Sequence, residues 1–226
     1  MQTKMKEMLD TLNSLQENLL SLPEDMLLNI DPRDNQSLEQ GTRFIKEYNE
    51  NLDQFIDSAS KISDQIKIHF SINPEEEEIE KEFAGQPSQD RIIKELDKTA
   101  PHTLYENFTY KRPYGFILGN TAFKGIKTWR NLFILVLNEL KEKDSDRFAK
   151  LTKEEKFISN RGNPLFSKDK QSLREGRKLK SGIYVEVNLS ANDIRKNIKS
   201  LLVHFQLSPD DMKIYLREDR DAVLEG

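Results

Sequence analysis

Ten basic side chains fall between positions 150 and 180: Lys150, Lys153, Lys156, Arg161, Lys168, Lys170, Arg174, Arg177, Lys178 and Lys180, against four acidic ones. Phe157, Phe166, Asn160, Asn163 and Gln171 are interspersed among them. Phosphate contact requires little more than Lys and Arg on one exposed surface, and it weakens steeply with salt. The implied chemistry is recognition of a polyanion, nucleic acid included. Its candidates are Lys168, Lys170, Arg174, Arg177, Lys178 and Lys180. Arg195, Lys196 and Lys199, on the helix that follows Asn-Leu-Ser-Ala-Asn-Asp at 188–193, extend this surface if that helix lies beside the basic stretch. A solvated lysine-rich loop, or a face that meets the chain's own acidic half, has the same composition.

Catalytic patterns are missing. Gly-Asn-Thr-Ala-Phe-Lys-Gly-Ile-Lys at 119–127 has glycines near lysines but not the order that cradles phosphate. Neither GxGxxG nor GxSxG occurs. His69, His102 and His204 are too widely spaced to suggest a metal cluster, and His204 reads as an edge-of-core residue at a helix end. A magnesium nuclease needs carboxylates gathered on adjacent strands, and Glu186 is the one acid in a clear strand pattern. The expectation is a non-enzyme with no metal, cofactor or small-molecule substrate.

The 226 residues are 36% hydrophobic and 33% charged, which suits one-sided helices beside a smaller true core. The absence of cysteine removes disulfides and thiolate sites and fits a reducing compartment. The longest apolar run, Asn-Leu-Phe-Ile-Leu-Val-Leu-Asn-Glu-Leu, is half the length of a membrane span, and Met1 to Gln16 has no signal-peptide core. A cytoplasmic protein with no membrane partner is expected.

Charge divides the chain. Residues 1–100 hold 11 Lys/Arg against 22 Asp/Glu, a balance of −11, and residues 101–226 hold 24 against 17, a balance of +7. Such asymmetry suggests modules with different partners. In the acidic half, Met5, Met8, Leu12, Leu15 and Leu19 keep heptad spacing, as do Ile45, Tyr48, Leu52, Phe55, Ala59, Ile62 and Ile66. Pro23 and Pro32 predict a break between the two helices, with Ser37 as N-cap of the second. The result is an antiparallel helical hairpin or coiled coil over 1–72. The longer second helix leaves part of its seam for a second copy, as in a homodimer, or for another protein, with Ile45, Tyr48, Leu52, Phe55, Ile62 and Ile66 as the interface. Residues 73–104 read as an acidic linker, with four glutamates at 75–78, a Gly-Gln-Pro-Ser breaker at 85–88, and a short helix from Asp90 to Lys98.

Residues 105–226 read as a basic α+β domain. Tyr-Gly-Phe-Ile-Leu-Gly at 114–119 is a buried strand, and Thr128 caps a core helix from Trp129. A second short helix follows Asp144, and 161–182 reads as a loop and hairpin. Ile183 to Val187 alternates as a strand, with Tyr184 and Glu186 on its second face. Ser190 caps a helix burying Ile194, Ile198, Leu201, Leu202 and Phe205, and Met212 to Leu216 closes the order. A small mixed sheet results, and a winged-helix-like topology with the basic hairpin as wing is one arrangement of it.

At Tyr-Lys-Arg-Pro-Tyr-Gly-Phe-Ile-Leu-Gly-Asn, Thr-Trp-Arg-Asn-Leu-Phe and Ile-Tyr-Val-Glu-Val-Asn-Leu-Ser-Ala-Asn-Asp-Ile, residues 105–218 resemble a C-terminal module of uncharacterised bacterial proteins associated with mobile elements or phage defence. The resemblance implies a bacterial binding or regulatory protein and no particular chemistry. The leading expectation is a non-enzymatic interaction protein, with a DNA-binding regulator as the alternative.

Overall fold

The computed structural model describes residues 2–70, 88–159 and 162–224. The glutamates at 75–78, the Gly85-Gln86-Pro87 breaker, and Asn160 and Arg161 lie outside the described residues. The chain forms two compact units, residues 1–73 and 74–226.

The first unit is the helical hairpin, α1 (Gln2–Leu28) and α2 (Asn35–His69). Contrary to the sequence expectation, α1 runs through Pro23. Proline has no N–H for the carbonyl of Leu19, four residues back, and its ring pushes that carbonyl outward. The Tyr48 hydroxyl donates to the Leu19 carbonyl oxygen at 2.9 Å and replaces the missing bond. The cap of α2 is Asp34, whose side chain accepts from the Gln36 N–H, while Ser37 lies inside the helix. Gly41 lets the Ile30 side chain approach α2 closely: a Cβ there would lie 2.3 Å from Ile30 Cδ1 and push that side chain aside.

The heptad reading is shifted. On α2 the buried residues are Leu52, Ile56 and Ala59, whereas Ile45, Tyr48, Phe55 and Ile66 are half-buried and Ile62 is exposed. On α1, Met8 and Leu15 are exposed, and the buried positions are Leu9, Asn13, Gln16, Glu17 and Ser21. A straight helix turns through 3.6 residues, so a 3.5-residue pattern drifts off the buried face.

The second unit begins with α3 (Gln89–Leu96), which belongs to this fold rather than to a linker. Ile92 and Leu96 pack with Ile117, Ala122 and Tyr215 on one face of a three-stranded antiparallel sheet. Its strands are β1 (Pro113–Leu118), β2 (Thr121–Lys124) and β6 (Met212–Leu216), in the order β2-β1-β6. The other face, with Phe116, Ile214 and Leu216, joins the main core. β2 is absent from the sequence reading. It follows a two-residue turn in which Gly119 has φ 59°, the backbone that such turns require at their first central position.

Helix α4 (Trp129–Lys143) is buried along most of its circumference, and the Thr128 side chain accepts from the Asn131 N–H to cap it. Asp144 caps the short α5 (Ser145–Ala149) through the Arg147 N–H. Ser190 caps α6 (Ala191–His204) through the Asp193 N–H at 3.0 Å. That helix buries Ile194, Ile198, Leu201 and Leu202, as its pattern predicts. A second antiparallel sheet contains β3 (Phe166–Ser167), β4 (Gly176–Lys178) and β5 (Tyr184–Glu186). Its order is β3-β5-β4, so residues 161–182 do not close on themselves as a hairpin wing. β3 and β4 flank β5 instead, because Val185 is fully buried and its strand takes the centre. The chain ends in α7 (Arg217–Leu224).

Candidate functional site

The basic segment folds as the sheet β3-β5-β4, and strand register sorts its side chains. Phe166, Val185 and Arg177 are cross-strand neighbours, as are Ser167, Tyr184 and Lys178. Directly paired residues share a face and successive residues alternate, so the first trio faces inward and the second outward. Phe166 and Val185 join the core, and Arg177 is buried with them, its Nη1 donating to Asn131 Oδ1 at 3.3 Å. Arg177 is therefore a structural residue and not a surface one, contrary to its place among the candidates.

The acids of this segment are all engaged. Between 162 and 190 there are three: Asp169, Glu175 and Glu186. Asp169 Oδ1 accepts from the Gln171 N–H and caps a 3-10 turn. Glu175 Oε1 accepts from Arg130 Nη1 at 2.7 Å, and the Arg130 side chain is only 2% exposed. The Glu186 carboxylate is buried, accepting backbone N–H bonds from Arg174 at 2.7 Å, Glu175 at 3.1 Å and Asn188 at 2.8 Å. Two of three negative charges are thus neutralised or bonded inside the fold. Lys168, Lys170, Arg174, Lys178 and Lys180 are exposed. Lys168, Lys170 and Lys178 have no ion pair among the described residues. The net result is a positive outer surface on a small antiparallel sheet.

Arg195 and Lys199 serve a different purpose. Arg195 Nη1 donates to the Glu106 carbonyl at 2.8 Å, and the Lys199 ammonium sits 4.0 Å from the Tyr105 ring centre. On the same helix, Asn192 accepts from the Phe108 N–H and donates to Asn107 Oδ1 and Thr109 Oγ1, each at 3.0 Å. Positions 192, 195 and 199 share one helix face, and together they strap the 105–109 segment onto α6. Lys196 is exposed beside Asp193, at 3.4 Å.

Among the histidines, His102 has the most organised surroundings. Its Nδ1 lies 2.6 Å from Glu106 Oε2 and its Nε2 lies 2.8 Å from Asp219 Oδ2. Carboxylates only accept, so both bonds together require the imidazolium. Burial alone would lower its pKa, but the bonds and charges of Glu106 and Asp219 outweigh burial and raise it. His204 shifts the other way, lowered by burial and by Lys156, whose Nζ donates to its Nδ1 at 2.5 Å. A cleft of about 280 Å³ is lined by Thr121, Glu139, Glu142, Lys143 and Asp211, where burial raises the Glu139 carboxyl. There the Thr121 side chain is hydrogen-bonded to the Glu139 carboxyl and partly offsets that rise. Among the described residues no group of three or more His, Asp or Glu is placed to hold a metal ion, and no helix is long and apolar enough to cross a membrane.

Sequence reasoning identified the lysines but not Tyr184 at the centre of their sheet face. The alternation of Ile183 to Val187 already placed it outward, and the flanking strands were the missing information. No family model, curated protein or solved structure matches the chain.

Proposed function

We propose that this chain is a non-enzymatic interaction protein of two parts, an accessory subunit of a larger bacterial complex. The basic sheet of the second unit engages a polyanionic partner, and the helical hairpin mediates self-association or docking. The observation that carries this reading is the sorting of charge around β3-β5-β4. Glu175 and Glu186 are bonded inside the fold while Lys168, Lys170 and Lys178 face water. An exposed cationic surface with little compensating charge attracts phosphate and acidic chains by counterion release.

For the hairpin, support comes from Met8 at 55%, Leu15 at 45% and Ile62 at 51% exposure, large apolar side chains repeated along two helices. The test of the first part is retention on immobilised heparin and its dependence on salt. Charge reversal at Lys168, Lys170 and Lys178 together should abolish retention while leaving the fold intact. Wild-type protein that flows through at low salt would remove the polyanion reading. For the second part, light scattering during gel filtration should show a dimer or larger species. A strict monomer that also captures no protein from its host would remove the hairpin as an interface.

A further inference from the structure

The outer face of β3-β5-β4 holds more than charge. Tyr184 is its central residue, with Ser167 on one neighbouring strand and Lys178 on the other. Adjacent strands lie about 4.8 Å apart, so Lys178 stands directly beside the phenol ring. Lys170 joins them from the preceding turn, since its Cγ would lie 3.3 Å from a Cβ added to Gly176. Gly176 is two residues from Lys178 and faces the same way. The other end of the face is closed, because the Arg174 and Glu175 backbone covers Glu186. What stays open is a half-buried tyrosine with Lys178 beside it on β4 and Lys170 further along the same strand, at Gly176.

Ser167 is held within the fold, its Oγ accepting from the Asp169 N–H, but the tyrosine and the two lysines are not. The Tyr184 side chain makes no hydrogen bond and no ring contact among the described residues, and Lys170 and Lys178 form no ion pair there. This differs from the other tyrosines of the unit: the Tyr215 hydroxyl donates to Asp97, and Tyr105 carries Lys199 over its ring. A tyrosine presented on a sheet, with cations on its β4 side, matches what an unpaired nucleotide offers, a flat base beside a phosphate. Every base has a π-face, so stacking of this kind tolerates sequence, while the lysines track the backbone. A duplex keeps its bases stacked internally and offers a sheet of this size only phosphates.

Resting on the polyanion reading above, we infer that the outer face of β3-β5-β4 is a binding site for single-stranded nucleic acid, with Tyr184 stacking on a base and Lys170 and Lys178 contacting the adjoining phosphates.

The test uses the full chain and fluorescence anisotropy with labelled oligothymidine and with a labelled duplex of equal length. The wild type should favour the single strand. Tyr184→Leu should weaken oligothymidine binding by about tenfold or more, as loss of one base–aromatic stack does, and leave duplex binding unchanged. Tyr184→Phe should restore it, because stacking needs the ring and not the hydroxyl. Lys178→Ala should weaken both ligands and lower the salt slope by about one, and this variant stands in if Tyr184→Leu does not fold. Equal single-strand binding by wild type and Tyr184→Leu would overturn the stacking site and leave the polyanion reading standing. A preference for duplex would overturn it in favour of backbone contact alone. Failure to bind either nucleic acid while heparin is retained would overturn it in favour of an acidic protein partner. Failure on heparin as well would remove the broader reading too.

Discussion

The two units treat polar and apolar residues in opposite ways. In the hairpin, Met8, Leu15 and Ile62 face water while Asn13, Gln16, Glu17 and Ser21 on α1 are buried. In the second unit nearly every large apolar side chain joins a core, and some of the buried polar groups are tied to partners far away in sequence. Arg130 meets Glu175 across 45 residues, and Asn192 meets Asn107 across 85. Long-range polar bonds of this kind have one satisfying geometry and specify which strand or loop lies where. A helical pair needs no such fixing, since its backbone bonds are local. Its apolar surface can be left for a partner, and its specificity rests on few contacts.

The comparison breaks most visibly at Arg130. Replacing it by alanine leaves Glu175 without its cation and removes a large side chain from the core beside Trp129. The expected loss is about 3–5 kcal/mol, measured by urea unfolding of the full chain. Arg130→Met fills most of the volume without a charge and should cost less. If both variants unfold at the wild-type midpoint, the pair does not organise the unit. A side-chain bond between the hairpin helices, from Tyr48 to Leu19, joins neutral groups, so its removal should cost less.

Much of the second unit was legible because its signals are local. Thr128, Asp144 and Ser190 each accept from the backbone N–H three residues on, and that geometry is written in neighbouring residues. The buried stripe of α6 follows the helical period for the same reason. Arg177 was misplaced because its side chain inside a basic run looks like its neighbours until β4 pairs with β5. The turn at Gly119 and Asn120 carries a signal for β2, a glycine-led pair between two apolar stretches. Pro23 predicts a break on a sound rule, and the exception needs a hydroxyl 29 positions from the Leu19 carbonyl it bonds. The site divided likewise: charge was visible in the sequence, whereas the central place of Tyr184 required a register.

Pro23 and Tyr48 sharpen the contrast at intermediate size. A proline in a helix interior costs up to about 3 kcal/mol, so Pro23→Ala should stabilise the hairpin by roughly 1–3 kcal/mol. Tyr48→Phe should destabilise it by about 1 kcal/mol, the net value of one hydrogen bond. The two effects are coupled through the Leu19 carbonyl. In the Pro23→Ala background that oxygen regains a backbone donor, and Tyr48→Phe should then cost little. A double-mutant cycle on the hairpin's unfolding measures this, and strict additivity would show that the hydroxyl does not compensate for the proline.

The smallest effect is expected at His102, where the second unit holds its last helix by charge. Asp219 on α7 and Glu106 on the 103–106 turn both bond the ring, and Arg112 Nε adds a bond to Glu218 Oε1 at 2.8 Å. Because the folded pKa of His102 is raised above its usual value near 6.5, the contribution is fully present below that value. It is lost as pH rises through the raised folded value, when one nitrogen gives up its proton and faces a carboxylate without one. Glu106 and Glu218 are lowered despite burial, by His102 and Arg112 respectively, so their contributions fade on the acid side instead. Asp219 and Glu106 are both more than a third exposed, so solvent screening keeps the energy small and its effect local. Amide exchange, corrected for its intrinsic pH dependence, should therefore show protection of α7 decreasing through the His102 titration while α4 and α6 remain protected. Asp219→Asn should lower the His102 pKa seen by NMR and flatten that pH dependence. Protection of α7 that is constant across the titration, with His102 at its ordinary pKa, would show that charge does not hold the helix.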